Sequence, residues 1–558
     1  MRGAAPGAAL LTILLTTVAT GQAQERPNYR IDAELDAHLE RIEGRATIEF
    51  TNVSPRPLRG LELHLYANAF ANANTTFVQQ GGLRLRKVPL SRYGRIELRT
   101  LTLTNGGPSL LAGARAGPTE HDHTQLHVPL PEPLAPGARL QLQTEFTVEL
   151  PSLTARMGQT GGFAMIAQWF PKLARLEPDG RWSQHPYYGL GEFAADFADY
   201  ELTLRVPAGH TVAAPGERLE ARTDGTRRVE RYRLARALDL AWAVGRDLKA
   251  TRGRSGAVAL EVYAPAGQQW LARKQLALLA ETLPRLSGML GPYPQGRLVL
   301  VLPPPHGRGA AGMEYAGLVV GWPATRRGAL DPVSGVVHDV VTCHELAHQW
   351  FPMLVASHEA LEPVLDEGLA QWLGMHALRD RYGRHGRLQR LVGLPVDLFD
   401  VQRVLWARSR VHASSLEPAW SYSLRELGAA VYQRPALLLE SIRRSWGPQR
   451  FDRALGRYAR DNRYRQVTRR DLCRAFDAGY WPGFCQRVLL PGLRGEPVAW
   501  TVREVHGASG IERDPDGHVV LDATRSDNLQ RTDDDAPQPA WRSRLLFLAQ
   551  LLLSAVGA

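Results

Sequence analysis

The stretch His344-Glu345-Leu346-Ala347-His348, followed after 18 intervening residues by Glu367, constrains this chain more than any other. Side chains four apart on a helix stand on one face, one turn above the other. Neutral imidazoles in that pose can both reach one divalent ion, with Glu345 beside them as candidate general base. A carboxylate from a second helix completes a His2Glu set and leaves a position open for water, which is the layout of a catalytic zinc site rather than a closed structural one. The fold must therefore bring two helices together with Glu367 opposite both histidines.

The flanking residues support two such helices. Val336, Val337, Val340, Val341, Ala347, Trp350 and Phe351 are apolar at helical spacing, which predicts a buried helix ended by Pro352. A second helix is predicted from Pro363, a favoured first-turn position, with Val364, Leu369, Trp372 and Leu373 as its apolar face. Glu367 falls near its start, where the helix dipole favours a carboxylate. Charged groups on core-facing helices are costly unless paired or metal-bound. A metal is the simplest account of this cluster.

Elsewhere the chain divides by pattern. Residues 1–23 read as a secretory signal peptide: Arg2 precedes an apolar core at about residues 8–19, and Gly21-Gln22-Ala23 offers small residues for cleavage. An uncleaved membrane anchor is the minority reading, since the apolar core is shorter than the ~20 residues a span needs. Residues 24–247 read as an all-β domain, with alternation in Ala46-Thr47-Ile48-Glu49-Phe50-Thr51 and Leu61-Glu62-Leu63-His64-Leu65, and turns at Pro136-Gly137 and Asp224-Gly225. Residues 248–490 read as a second domain, with helical periodicity from about Gln268 to 490, broken by one strand at residues 298–302 and a Pro/Gly-rich loop at 303–312. A small β segment is expected at 491–524, then a polar linker and a terminal apolar helix over 525–558. The expected fold class is multidomain α+β.

Charge and cysteine content exclude some classes. The formal net charge is +11, but Asp and Glu are interspersed and no long basic block occurs, so nucleic acid is not an expected partner. Three cysteines are few for an exported chain of 558 residues, which can bury a large core without disulfide stapling. Cys343 reads as a small buried residue, because adjacent helical side chains point about 100° apart and it cannot share the face of His344. Cys473 and Cys485 are open to pairing in an oxidising compartment.

Together these residues resemble the M1 family of zinc aminopeptidases, the gluzincin group that includes alanyl aminopeptidases and leukotriene hydrolase. The resemblance rests on His344-Glu345-Leu346-Ala347-His348-Gln349-Trp350-Phe351 and Leu365-Asp366-Glu367-Gly368-Leu369-Ala370 at the family's spacing. Ala311-Gly312-Met313-Glu314-Tyr315 is similar to its exopeptidase motif, with Tyr315 in place of the usual asparagine and Ala311 in place of the usual first glycine. Val431-Tyr432-Gln433-Arg434 stands where the family has its catalytic tyrosine, with Gln433-Arg434-Pro435 replacing the usual tail. Asp122-His123-Thr124 and Gln168-Trp169-Phe170-Pro171 extend the likeness toward the N-terminus.

The resemblance implies an N-terminal saddle-like β domain, a thermolysin-like catalytic domain, and one zinc ion on His344, His348 and Glu367. It implies an aminopeptidase that removes N-terminal residues, with Glu345 as base for a zinc-activated water and Glu314, on the Gly312-Met313 loop, binding the substrate amine. Tyr432 is the expected oxyanion donor, with Tyr422 as its rival. The expected partners are peptides with a free N-terminus, the expected location is the periplasm or the exterior, and no span is expected in the mature chain. His306, His338, His358 and His376 lack matching spacing and read as structural or solvent-facing. An endopeptidase, an epoxide-type hydrolase on the same zinc, and an inactive scaffold are the alternatives.

Overall fold

The computed structural model describes residues 26–80, 90–103, 108–117, 122–191, 195–323, 332–382 and 398–496, together with residue 498 and strands within 504–531. The expected signal peptide and terminal apolar helix lie outside the described residues. Among the described residues no helix is long and apolar enough to cross a membrane.

The N-terminal half is β-rich because its sequence alternates. In Asn28–Leu35, Tyr29, Ile31, Ala33 and Leu35 are buried while their neighbours are not. Arg41–Thr51 does the same with Ile42, Ala46, Ile48 and Phe50. Each strand thus contributes one apolar face, the period-2 signature of a half-buried sheet. Seven strands form the main sheet, in the order Glu217–Asp224, Arg227–Ala237, Ala198–Pro207, Asn28–Leu35, Arg41–Thr51, Arg139–Glu149 and Arg95–Leu103. The pairing of Asn28–Leu35 with Ala198–Pro207 is parallel and the other pairings are antiparallel. Two four-stranded sheets share its core, where Trp169, Phe170, Tyr200 and Trp242 pack together.

From Leu248 the chain changes partners. Leu248–Ser255, Val258–Pro265, Arg297–Val301, Leu318–Val320 and Met313–Tyr315 form a mixed five-stranded sheet in that order. Arg297–Val301 is the expected strand at 298–302. Met313–Tyr315 and Leu318–Val320 fall in the stretch expected to hold one strand among helices, and that expectation is corrected there; Leu248–Ser255 and Val258–Pro265 precede it. Met313–Tyr315 and Leu318–Val320 are three residues each, too short to show a period of two.

Helices cover this sheet. Helix α1 (Gln269–Leu290) packs on the Leu248–Ser255 and Val258–Pro265 hairpin. It buries Leu271, Leu278, Leu279, Leu283, Leu286 and Leu290, each worth roughly 1.5–3 kcal/mol on removal from water. Helix α2 (Pro332–Ala347) packs on α1, and α3 (Glu367–Tyr382) on α2. Helix α4 (Arg434–Trp446) packs on α3, and α5 (Pro448–Asp461) on α1 and α4.

Three boundary expectations are corrected. Helix α2 ends at Ala347, before Pro352, because the chain tightens to i→i+3 bonds from Gln349 to Leu346 and Trp350 to Ala347. Pro363 opens a short 3₁₀ turn, Pro363–Leu365, and the α-helix starts at Glu367 itself. Leu529–Arg531 is a strand where a polar linker was expected; it pairs with Gly510–Arg513 next to Glu504–Gly507 through backbone groups that need no apolar side chains. Cys473 and Cys485 form a disulfide, and Cys343 is a buried free thiol pushed up to about 12 by burial.

Candidate metal centre

Helices α2 and α3 approach so closely that one residue must be glycine. A β-carbon on Gly374 of α3 would lie 2.9 Å from the His344 nitrogen of α2 and 3.0 Å from its Cα. This contact sets the ligands opposite one another. His344 Nε2 lies 3.1 Å from His348 Nε2, and Glu367 Oε2 lies 3.1 Å from the first and 3.3 Å from the second.

That triangle fits a metal. With both Nε2 atoms free of protons, neither histidine can donate to the other or to Glu367, and one shared cation then satisfies all three atoms. A tetrahedral ion with bonds of about 2.0–2.1 Å has ligand-to-ligand edges of about 3.3–3.4 Å, close to the three separations here. His348 Nδ1 lies 2.6 Å from Asp366 Oδ1 and 2.8 Å from the Phe351 carbonyl, which places its proton on Nδ1 and bares Nε2 toward the cluster. Asp366 thus stands beside the Nδ1 edge of His348, where a carboxylate can orient the ring.

The electrostatics point the same way. Glu314, Glu345, Asp366 and Glu367 are all at most 8% exposed. Burial, then the neighbouring Glu314, push the Glu345 carboxyl well above its usual range. Burial also raises Asp366 well above the usual range, against His348. Burial opposes charge on His348, yet Asp366 and Glu314 lift it well above the usual histidine range. Burial would raise Glu367, but in the absence of a metal, protons on the adjacent His344 and His348 imidazoles pull it below the usual range. Carboxyls that resist ionising beside an imidazole that favours its charged form mark a pocket short of positive charge, which a divalent ion supplies.

The remaining expected site residues fall around this cluster. Glu345 is one residue past the first ligand, with Oε1 3.5 Å from where a β-carbon on Gly312 would stand. It therefore lies between the ligands and the loop that leads to Glu314. Glu314 sits on the edge strand Met313–Tyr315, with a carboxylate oxygen within 4.8 Å of ligating atoms of His348 and Asp366. It lines a small cavity with Gln168, Lys172, Asp239 and Glu359, while Glu359 also lines the cleft beside Glu367 and Tyr432. Met313 is buried in the apolar cluster that also holds Phe163, Met165 and Ala243.

Tyr432 lies on the π-helical turn Gly428–Gln433, stacks over His344 at 5.8 Å and donates its hydroxyl to Glu367 Oε1. Tyr422 is held elsewhere: its hydroxyl donates to the Ser414 carbonyl at 2.6 Å and accepts from the Glu417 N–H at 3.1 Å. The unusual tail after Tyr432 has a structural reason. Arg434 is buried and donates to the carbonyls of Ala413, Val411 and Leu493, fixing the turn from behind.

The four histidines set aside stay outside the cluster. His338 and His358 are lowered to about 4 and about 3 by burial, His376 stacks on Trp372, and His306 is exposed. Several contributors were missed in the sequence. Asp366 stands one residue before the third ligand, an acidic pair that could have flagged it. Gln349 follows the motif and bridges the Tyr315 carbonyl and the Gly317 N–H. Arg156 lines the cleft with Glu367 and Tyr432, yet nothing in its local sequence signals that long-range placement.

Fold and cluster define the class: a His-Glu-x-x-His metal centre in a helical domain with a mixed sheet, set beside a β-rich domain. The peptidase family M1 domain matches residues 288–482, which hold His344, His348, Glu367, Glu345, Glu314 and Tyr432. Aminopeptidase M1 of Arabidopsis thaliana is 23% identical over 298 residues, half of this chain. That match spans 32% of the relative's length. Two crystal structures of a mutant M1 zinc metallopeptidase of Deinococcus radiodurans share the fold. The one bound to a Tyr-Ser-Ala substrate has TM-score 0.57, and the other has 0.56. Each is 19% identical and covers 86% of this chain and 96% of its own. Over residues 288–482 the chain is thus similar to peptidase family M1, and that segment carries the whole cluster. Zinc is the ion the family implies, and the donor set fits it.

Proposed function

We propose that the protein is a single-zinc aminopeptidase that removes N-terminal residues from peptides. The observation that carries this reading is the convergence of His344, His348 and Glu367 with Glu345 and Tyr432 at one buried cluster, and Glu314 within reach of it. Zinc held there supplies Lewis acidity, acidifying water and polarising a carbonyl. Glu345 accepts the proton from the attacking water and returns it to the leaving amine; such assistance is typically worth about 10²–10⁴ in rate. Tyr432 donates its hydroxyl to the developing oxyanion. Asp366 holds His348 in its ligating tautomer. Glu314 pairs with the substrate's protonated α-amine, which limits cleavage to the first peptide bond.

The test compares Tyr-Ser-Ala, the tripeptide of the Deinococcus structure, with its N-acetylated form, before and after chelation. Rapid hydrolysis of the free-amine peptide alone, lost on chelation and restored by zinc, is expected. Equal cleavage of both peptides would favour an endopeptidase, and no cleavage of either would favour a non-peptide substrate such as an epoxide or an inactive scaffold. We also propose export. The Cys473–Cys485 disulfide suits an oxidising compartment, and recovery of the protein only from cytoplasmic fractions would refute it.

A further inference from the structure

We infer that Arg156, carried by the β-rich domain, is a positioning residue for the amine anchor: it fixes the Gly312 backbone and thereby the place of Glu314. The inference rests on the reading of Glu314 as the amine-binding carboxylate.

Residues 154–157 form a tight turn closed by Thr154 and Met157, whose N–H groups each bond the other's carbonyl. Ala155 and Arg156 both adopt left-handed backbone, at φ 40° and 69°. Residues with a β-carbon are uncommon there and persist where surroundings over-determine them, often at ligand clamps. The surroundings here are the loop before Glu314. The Arg156 N–H donates to the Gly309 carbonyl at 2.7 Å. A β-carbon on Gly309 would stand 2.4 Å from the Leu153 carbonyl, so the two backbones are in direct contact.

The side chain then crosses to the next part of that loop. Arg156 Nε and Nη2 donate to the Gly312 carbonyl at 3.3 and 3.2 Å, from a residue only 8% exposed. A charged fork on one carbonyl in a dry site is a strong tether. Gly312 needs one. It has φ +66°, and its own N–H reaches the Val320 carbonyl at 3.1 Å. The strand that follows is three residues long and, among the described residues, lies at the edge of its sheet, paired only with Leu318–Val320. Its far end is tied by Gln349, which donates to the Tyr315 carbonyl at 3.1 Å. Glu314 is suspended between these two ties, one from the metal-bearing segment and one from the other domain.

The test is a mutant cycle on zinc-loaded full-length protein, using the best free-amine substrate from an aminoacyl-anilide panel. Arg156→Ala should raise KM roughly ten- to a hundredfold, the range for losing charged hydrogen bonds, with kcat and zinc content changed little. Arg156→Lys, which keeps the charge and one donor at a time, should recover part of that loss and covers the case in which the alanine variant does not fold. In a Glu314→Ala background the Arg156 substitution should add nothing, because its effect passes through Glu314. An unchanged KM in Arg156→Ala, or the same loss with and without Glu314, would overturn the inference. Unchanged kinetics in Glu314→Ala alone would instead overturn the amine-anchor reading on which it rests.

Discussion

Replacing Gly374 with alanine should damage the metal centre through packing alone. The added β-carbon would lie 2.9 Å from the His344 nitrogen, 3.0 Å from its Cα and 3.1 Å from the Cys343 carbonyl carbon. All three are backbone atoms of α2, so no side chain can swing away. Ordinary contact begins near 3.4 Å, so α3 must retreat from α2 by about 0.5 Å. Glu367 moves with α3 and the histidines stay with α2. A metal site tolerates errors of about 0.2 Å in ligand distance. Zinc affinity should therefore fall on the order of 10–100-fold, the loss typical when ligand orientation is disturbed. Gly288→Ala is the control, since Gly288 lies in α1 with no atom within 4 Å of the new carbon. Both substitutions gain about 1 kcal/mol of helix propensity. The difference between them isolates overpacking, about 1–3 kcal/mol against Gly374→Ala. Zinc affinity by chelator competition and unfolding of both zinc-free variants would measure this. Equal affinity and equal stability in the two would refute the claim that the α2–α3 contact sets the ligand geometry.

The side chains at the centre give sharper contrasts. Glu345→Gln should keep zinc and lower turnover about 10²–10⁴-fold, and a turnover near wild type would take the base role from Glu345. Tyr432→Phe should cut kcat about 10²–10³-fold. Tyr422→Phe should leave kcat in place and cost about 1 kcal/mol of stability; the opposite ranking in turnover assays would move the oxyanion role to Tyr422. Acid stability should depend on His358, held down to about 3 by burial and the neighbouring His185. The unfolded chain, with an ordinary histidine pKa near ~6.5, binds more protons in acid, so this histidine's contribution is complete above pH ~6.5 and lost as pH falls toward 3. His358→Gln should lose about 2–3 kcal/mol less than wild type between pH 7.5 and 4.5 in denaturant titrations. An identical acid loss in both proteins would show that His358 does not carry it.

What the sequence revealed about this centre follows from how local each signal is. His344, His348 and Glu367 were legible because helical spacing and an apolar flank are short-range properties. The disulfide partners were legible only as candidates, since Cα separation is a property of the folded chain. Strands such as Met313–Tyr315 escaped because three residues beside glycines carry no period. The start of α3 was placed too early because Pro363 suits a 3₁₀ turn as well as an α-helix. Arg156 was invisible for a different reason. Its place depends on two left-handed residues and on a loop 156 residues further along the chain. Tyr432 and Tyr422 could be separated only by their hydrogen bonds, one to a metal ligand and the other to local backbone.

X-ray absorption at the zinc edge, on protein purified without added metal and then titrated with zinc, tests the metal centre most directly. One zinc per chain bound by two imidazole nitrogens and light oxygen donors is expected, with the signal lost in His348→Ala. Sulfur in the coordination shell, a second tightly bound zinc, or an unchanged spectrum in His348→Ala would contradict the assignment of the ion to His344, His348 and Glu367.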